Sequence, residues 1–212
     1  MRSWYAGALA LALVTGCSGS SAPSADAPPQ PSPRGPVDKA HLEAMLLQPS
    51  DLVGLSQRRA FADPGLTTQT TPQLSLCRDA SAVGPHEIAN VIAESGKPGG
   101  VKVFEIVSVF ADDAAAEAVF ARHVADARAC SSYAIDGVTR RVTGLKTVPL
   151  AAGVQAVQYA VVASDVLSGD VRTYARRGNT TVLITGFGAP PGGGPLLAYQ
   201  AELMRKALAR LG

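Results

Sequence analysis

Residues 101–130 read VKVFEIVSVF ADDAAAEAVF ARHVADARAC, and this stretch decides which class of fold the chain can adopt. Its first ten residues, Val101–Phe110, are almost continuously apolar, which is typical of a central strand in a sheet. Asp112 and Asp113 follow and can cap a helix, because carboxylates accept hydrogen bonds from the unpaired N–H groups of a first turn. Apolar residues then recur at helical spacing as far as Ala129, so the stretch predicts a strand followed directly by a helix.

The residues before this stretch predict one more helix and two more strands. Asp38 can cap a helix that ends at Gln48, because the following proline disfavours helical backbone in the residue before it. A short strand is expected around Arg59–Ala62. The segment Glu87–Glu94 fits either a strand or a short helix, and the glycines and prolines on both sides of it favour a strand.

After residue 130 the pattern is again that of strands, and the chain closes with a helix over Leu196–Leu211. The β-rich segments are Thr139–Leu145, Val154–Ala163, Val171–Arg177 and Thr180–Phe187. Turn signals separate the last three, which predicts a meander and excludes a parallel, doubly wound sheet. The sequence therefore predicts an α+β fold, with an antiparallel sheet, helices packed on one face of it, and one disulfide.

The first residues resemble a bacterial lipoprotein signal. A basic residue, Arg2, precedes an apolar run that is shorter than the roughly 20 residues of a membrane-spanning helix. The run ends in Val14-Thr15-Gly16-Cys17, which resembles the lipobox of such signals. This resemblance implies cleavage before Cys17, lipid attachment to its thiol, and anchoring to the outer face of the cell membrane. An ordinary signal peptide that happens to contain a cysteine is the alternative.

The composition then divides the chain into three parts. Residues 1–16 form the signal peptide. Residues 17–36 are rich in serine, proline and alanine, cannot bury enough apolar surface to fold, and are expected to form a lipid-anchored tether. Residues 37–212 are long enough to build one domain with its own core.

Two cysteines remain after Cys17 is assigned to the lipid. An even pair in an oxidising compartment predicts a disulfide between Cys77 and Cys130. Free thiols and a metal site are the alternatives, and the second is disfavoured because no further cysteine or histidine lies nearby to complete a set of ligands.

Charge and motifs exclude several classes of function. The net charge is +2 with no basic stripe, so no nucleic acid partner is expected. The sequence contains no nucleophile elbow, no zinc-protease helix and no phosphate-binding loop. We therefore expect no catalytic residues, no bound metal and no cofactor, and we interpret the protein as non-enzymatic.

The order of the features over residues 38–211 resembles a known family, the extracellular sensor domains of mycobacterial kinases of the PknH type. Such domains also occur as free-standing lipoproteins in actinobacteria. The motifs that carry the resemblance are Leu46-Leu47, Asp51-Leu52-Val53-Gly54, the strand Val103–Phe110, the helix start Asp112–Ala116, and its end at Ala129-Cys130. The resemblance implies a helix-and-sheet domain with a cleft for an unidentified ligand, and it assigns no catalytic residue.

Four residues are candidates for contact with such a ligand, in a cleft between the sheet and the helix that starts at Asp112. Glu105 is a carboxylate inside an apolar strand, so it either lines a polar pocket or faces solvent from an open sheet. Phe104, Phe120 and His123 would supply apolar and polar contacts, although a histidine on a helix stripe also serves simply as a packed residue. The expected ligand is a small or lipidic molecule, and the alternative function is a protein–protein interaction module in the cell envelope.

Overall fold

The computed structural model of the chain describes residues 39–62, 76, 87–94, 99–135, 138–163, 169–188 and 195–212. The predicted signal peptide and tether, residues 1–36, lie outside the described residues. The helices are α1 (Lys39–Met45), α2 (Asp113–Ala129) and α3 (Leu196–Ala209). The strands are β1 (Ser56–Ala62), β2 (Glu87–Glu94), β3 (Lys102–Val109), β4 (Ser132–Ile135), β5 (Val138–Thr147), β6 (Gln155–Ala163), β7 (Gly169–Arg177) and β8 (Thr180–Phe187).

These eight strands form one antiparallel sheet in the order β1-β2-β3-β8-β7-β6-β5-β4. The predicted meander is confirmed, since β6, β7 and β8 are consecutive neighbours. Gly178 has φ of +57° in the two-residue turn between β7 and β8, a backbone conformation that glycine adopts without strain. Strand β8 then inserts beside β3, so the last strand of the chain lies near the centre of the sheet.

The prediction that the helices pack on one face of the sheet is wrong. Val182 and Ile184 of β8 pack in the core that contains α1 and α3. Leu183, between them, packs with Phe120 of α2 and with Tyr174 of β7. Because successive side chains of a strand point to opposite faces, α2 covers one face, and α1 and α3 cover the other. We call these the α2 face and the α1–α3 face.

Most of the predicted elements are confirmed, with small shifts at their ends. Glu87–Glu94 is a strand rather than a helix, and α2 ends at Ala129 as expected. The four-residue strand β4 was not predicted. It forms an edge of the sheet and pairs with β5.

Candidate functional site

Helix α2 is held over the sheet by its N-terminal turn and by an ion pair. Asp112 is the N-cap, and its Oδ1 accepts a hydrogen bond from the Ala115 backbone N–H at 2.7 Å, which confirms the predicted capping role. Near the same end, Nη2 of Arg176 on β7 lies 3.0 Å from Oε2 of Glu117. These contacts fix the start of the helix above β7 and so set the position of the side chains further along it.

Two of the predicted site residues, Phe120 and His123, lie on the buried side of α2. Phe120 stacks on Tyr174 with 5.3 Å between ring centroids. The His123 ring lies 4.4 Å from the same tyrosine, and its Nε2 is 2.8 Å from the hydroxyl of Tyr159 on β6. His123 is only 4% exposed, so it is a packed residue that bonds to the sheet.

A charged pair lies next to this aromatic cluster. Nε of Arg172 donates to Oδ2 of Asp170 at 2.7 Å, and the two side chains are 8% and 14% exposed. Arg172 also lies directly opposite Tyr159 in the β6–β7 register. The α2 face therefore contains a buried ion pair, whose opposite charges compensate each other.

Burial controls the ionisation of this region. It raises the pKa of the Tyr174 phenol to about 12. It also raises the pKa of Tyr159 well above its usual range, although the neighbouring Arg172 guanidinium acts in the opposite direction. Burial by itself lowers the pKa of Arg172, but Asp170 and Tyr159 outweigh this effect and leave that pKa raised. At neutral pH both phenols are therefore protonated and the guanidinium is charged.

Phe104, the third candidate, lies on the same face but beyond the aromatic cluster. Its ring stacks on that of Phe187 with 5.8 Å between centroids, and both residues are half-buried. We call these two residues the phenylalanine pair. Thr185 on β8 lies directly opposite Phe104 on one neighbouring strand and directly opposite Arg172 on the other. It therefore lies between the phenylalanine pair and the ion pair. Thr185 is 7% exposed, and its hydroxyl has no hydrogen-bond partner within the part of the chain that the structure describes.

Glu105, the fourth candidate, does not join the other three. It is fully buried on the α1–α3 face, and its Oε2 accepts a hydrogen bond from the Leu47 backbone N–H at 2.8 Å. The carboxylate therefore anchors the segment after α1 to the sheet. A single cleft lined by all four candidates, as the sequence led us to expect, is excluded by this placement.

The predicted lipid attachment and disulfide fall mostly outside the described residues. Cys17 and Cys77 both lie there, so the two assignments stay predictions. Cys130 is buried at the end of α2, where it packs in one cluster with Leu76, the chain neighbour of Cys77. In the described ranges, no three histidine, cysteine or acidic side chains gather as they would around a metal ion. No helix within those ranges has the length and apolar character needed to cross a membrane.

Sequence reasoning missed Thr185, Phe187, Asp170 and Arg172 as members of this face. One signal was present, because an aspartate and an arginine two residues apart in a strand lie on the same side of it. The proximity of Thr185 and Phe104 had no such signal, since it depends on the pairing of β3 with β8, which are far apart in the chain.

Comparisons with known proteins show the fold. No family model and no curated protein matches the chain. The chain is similar to the crystal structure of the extracellular domain of PknH from Mycobacterium tuberculosis, with a TM-score of 0.54 and 13% sequence identity. The match covers 82% of this chain and 98% of that domain. The described domain therefore has a fold similar to that of the PknH extracellular domain.

Proposed function

We propose that this chain is a lipoprotein held at the outer face of the cell membrane through Cys17, and that its domain binds a small or lipidic molecule without catalysing a reaction. The sequence around Cys17 supports the anchor, and the similarity to an extracellular domain supports the location. In this proposal Cys77 and Cys130 form a disulfide, which the packing of Leu76 beside Cys130 supports.

The observation that carries the binding proposal is the half-buried phenylalanine pair on the α2 face. Phe104 and Phe187 lie beside a buried polar group, Thr185, and a compensated ion pair. Ligand sites are typically apolar surfaces with a few polar groups that orient the ligand. Glu105 is left out of the proposed site because it lies on the other face.

Native mass spectrometry of the protein purified from its own envelope tests this function. We expect a non-covalent adduct on the lipidated chain, and we expect the adduct to be lost in Phe187→Ser. Leu197→Ser is a matched control, because Leu197 is an exposed apolar residue of α3, which packs on the opposite face. A spectrum that shows only the lipidated chain, from gentle detergents and from native nanodiscs alike, would contradict ligand binding.

A protein–protein module of the cell envelope is the second candidate. It is favoured by two exposed apolar residues of the α1–α3 face, Val162 at 41% and Leu197 at 42% exposure. This candidate predicts a stoichiometric protein partner after cross-linking in the envelope. The partner should be lost in the double variant Val162→Ser/Leu197→Ser and kept in Phe187→Ser.

A further inference from the structure

The hydroxyl of Thr185 is a buried polar group that no described residue satisfies. It has no hydrogen-bond partner among the described residues, although the side chain is more than nine-tenths buried. Nearly all buried polar groups of native proteins are hydrogen-bonded, so an exception calls for a physical reason. A partner that comes from outside the chain is such a reason.

The surroundings of this hydroxyl allow a ligand to reach it. Phe104 lies directly opposite Thr185 on β3, and Phe187 follows two residues later on the same face of β8. Both rings are half-buried and therefore in contact with solvent. A ligand that packs on the phenylalanine pair therefore lies on the same face of the sheet as the Thr185 side chain, directly beside it.

The charges of the α2 face indicate what kind of polar group this ligand carries. Arg172, directly opposite Thr185 on β7, is already paired with Asp170 at 2.7 Å. Lys102, two residues before Phe104, is exposed and has an interaction of its own. A charged group brought to Thr185 would lose its hydration without gaining a free counter-charge, which is unfavourable. An uncharged group loses much less and can bond to the hydroxyl.

From these three observations we infer that the ligand is an uncharged amphiphile, with an apolar chain or ring that packs on Phe104 and Phe187 and a hydroxyl or carbonyl group that bonds to Thr185. The inference rests on the proposed function, because it names the chemical class of ligand for the same face. It goes beyond that function by excluding ionised lipids such as fatty acids.

Photo-cross-linking with matched probes tests the inference. The full lipidated chain is reconstituted in phosphatidylcholine vesicles at pH 8 and irradiated with a 16-carbon fatty alcohol that carries a diazirine in its chain. We expect adducts on the tryptic peptides 103–122 and 178–205, which contain Phe104 and Phe187. The corresponding fatty acid, ionised at this pH, should label these peptides at least five-fold less.

Variants separate the hydrogen bond from the apolar contact. Thr185→Val should lower labelling by the alcohol about five-fold, the effect of one neutral hydrogen bond, and Thr185→Ser should restore it. Phe187→Ser should lower labelling of peptide 103–122 by both probes, and Leu197→Ser should leave it unchanged. Far-UV circular dichroism confirms that each variant is folded.

The outcomes distinguish this inference from the proposed function. If the acid and the alcohol label the protein equally, or if the alcohol labels Thr185→Val as strongly as the wild type, the inference of an uncharged ligand is overturned. The proposal of ligand binding stands in that case. If Phe187→Ser does not reduce the labelling of these peptides by either probe, the proposed site itself is overturned.

Discussion

At the scale of single residues, two threonines on neighbouring strands offer a direct comparison. Thr185 has a buried hydroxyl without a partner among the described residues, and Thr173 has a buried hydroxyl that bonds to Gln200 and Gln158. We expect Thr185→Val to raise the free energy of unfolding by about 1–3 kcal/mol, because it removes an unsatisfied polar group and keeps the β-branched shape of the side chain.

Thr173→Val is the control and should lower the free energy of unfolding by a similar amount, since it removes the hydroxyl that donates to Gln200 Oε1 and accepts from Gln158 Nε2. Urea titrations followed by circular dichroism measure both changes. If Thr185→Val is as destabilising as Thr173→Val, the Thr185 hydroxyl has a partner in the folded chain, and the argument for a ligand bond fails.

The buried phenols predict a loss of stability in alkaline solution. The pKa of Tyr174 is about 12 in the folded chain, against 10.0 for the free side chain. Above pH 10 the unfolded chain releases this proton and the folded chain retains it, so unfolding becomes easier as the pH rises towards 12. The free energy of unfolding should fall by at most about 1.4 kcal/mol per pH unit for this tyrosine.

Urea titrations at pH 9, 10 and 11 measure this slope, and Tyr174→Phe should make it shallower. Tyr199→Phe serves as the comparison, because Tyr199 is only partly buried and has a smaller role in the core. A slope that Tyr174→Phe leaves unchanged would show that other groups control the alkaline transition.

Glu105 shows why some residue roles were not predictable from the sequence. The sequence shows the apolar strand around it, but the two roles expected for it, lining a polar pocket or facing solvent, both differ from its observed role as a buried acceptor for a backbone N–H. Its partner, the Leu47 N–H, lies 58 positions away in the chain, and no local pattern connects them. A buried carboxylate that holds a distant backbone group has the same sequence signal as one that lines a ligand pocket.

At the scale of elements, the N-terminus of α2 can be tested independently of any ligand. Asp112→Ala should lower the free energy of unfolding by about 1 kcal/mol, because it removes the acceptor of the Ala115 N–H. Asp113→Ala is the matched control; it lies one position later, forms no capping bond in the described structure, and should cost less. Thermal unfolding of both variants measures the two losses of stability. A larger loss in Asp113→Ala than in Asp112→Ala would contradict the capping role of Asp112.

Local periodicity predicted the elements better than their arrangement. The capped helix α2 and the strands β3 and β8 have strong patterns of their own, so their positions followed from the sequence. No comparable local pattern indicates which face of the sheet each helix covers. The available hints were β3 and β8, in which residues of both alternating sets are apolar, as expected for strands that are covered on both faces.

At the scale of the whole molecule, the proposed membrane anchoring depends on one thiol. Cys17→Ala should prevent lipid attachment and move the protein from the membrane fraction to the soluble or secreted fraction. Fractionation with a blot against the folded domain measures the distribution, and the mass of the native protein shows the acyl chains directly. A wild-type chain that is already soluble and unmodified contradicts the lipoprotein assignment.

The predicted disulfide can be checked on the same purified protein. We expect no thiol to react with iodoacetamide in the unfolded, unreduced chain, and Cys77 and Cys130 to react after reduction. If they form the bridge, Cys130→Ser should lower the free energy of unfolding by about 2–5 kcal/mol. Two thiols that react before reduction contradict the bridge.

The insertion of β8 between β3 and β7 has a consequence for the order in which the sheet can form. Until residues 180–187 have been synthesised and have paired, β3 and β7 each present an unpaired edge. The sheet therefore cannot be completed before β8 is added, and a chain that is interrupted ahead of this strand is left open to pairing with other chains.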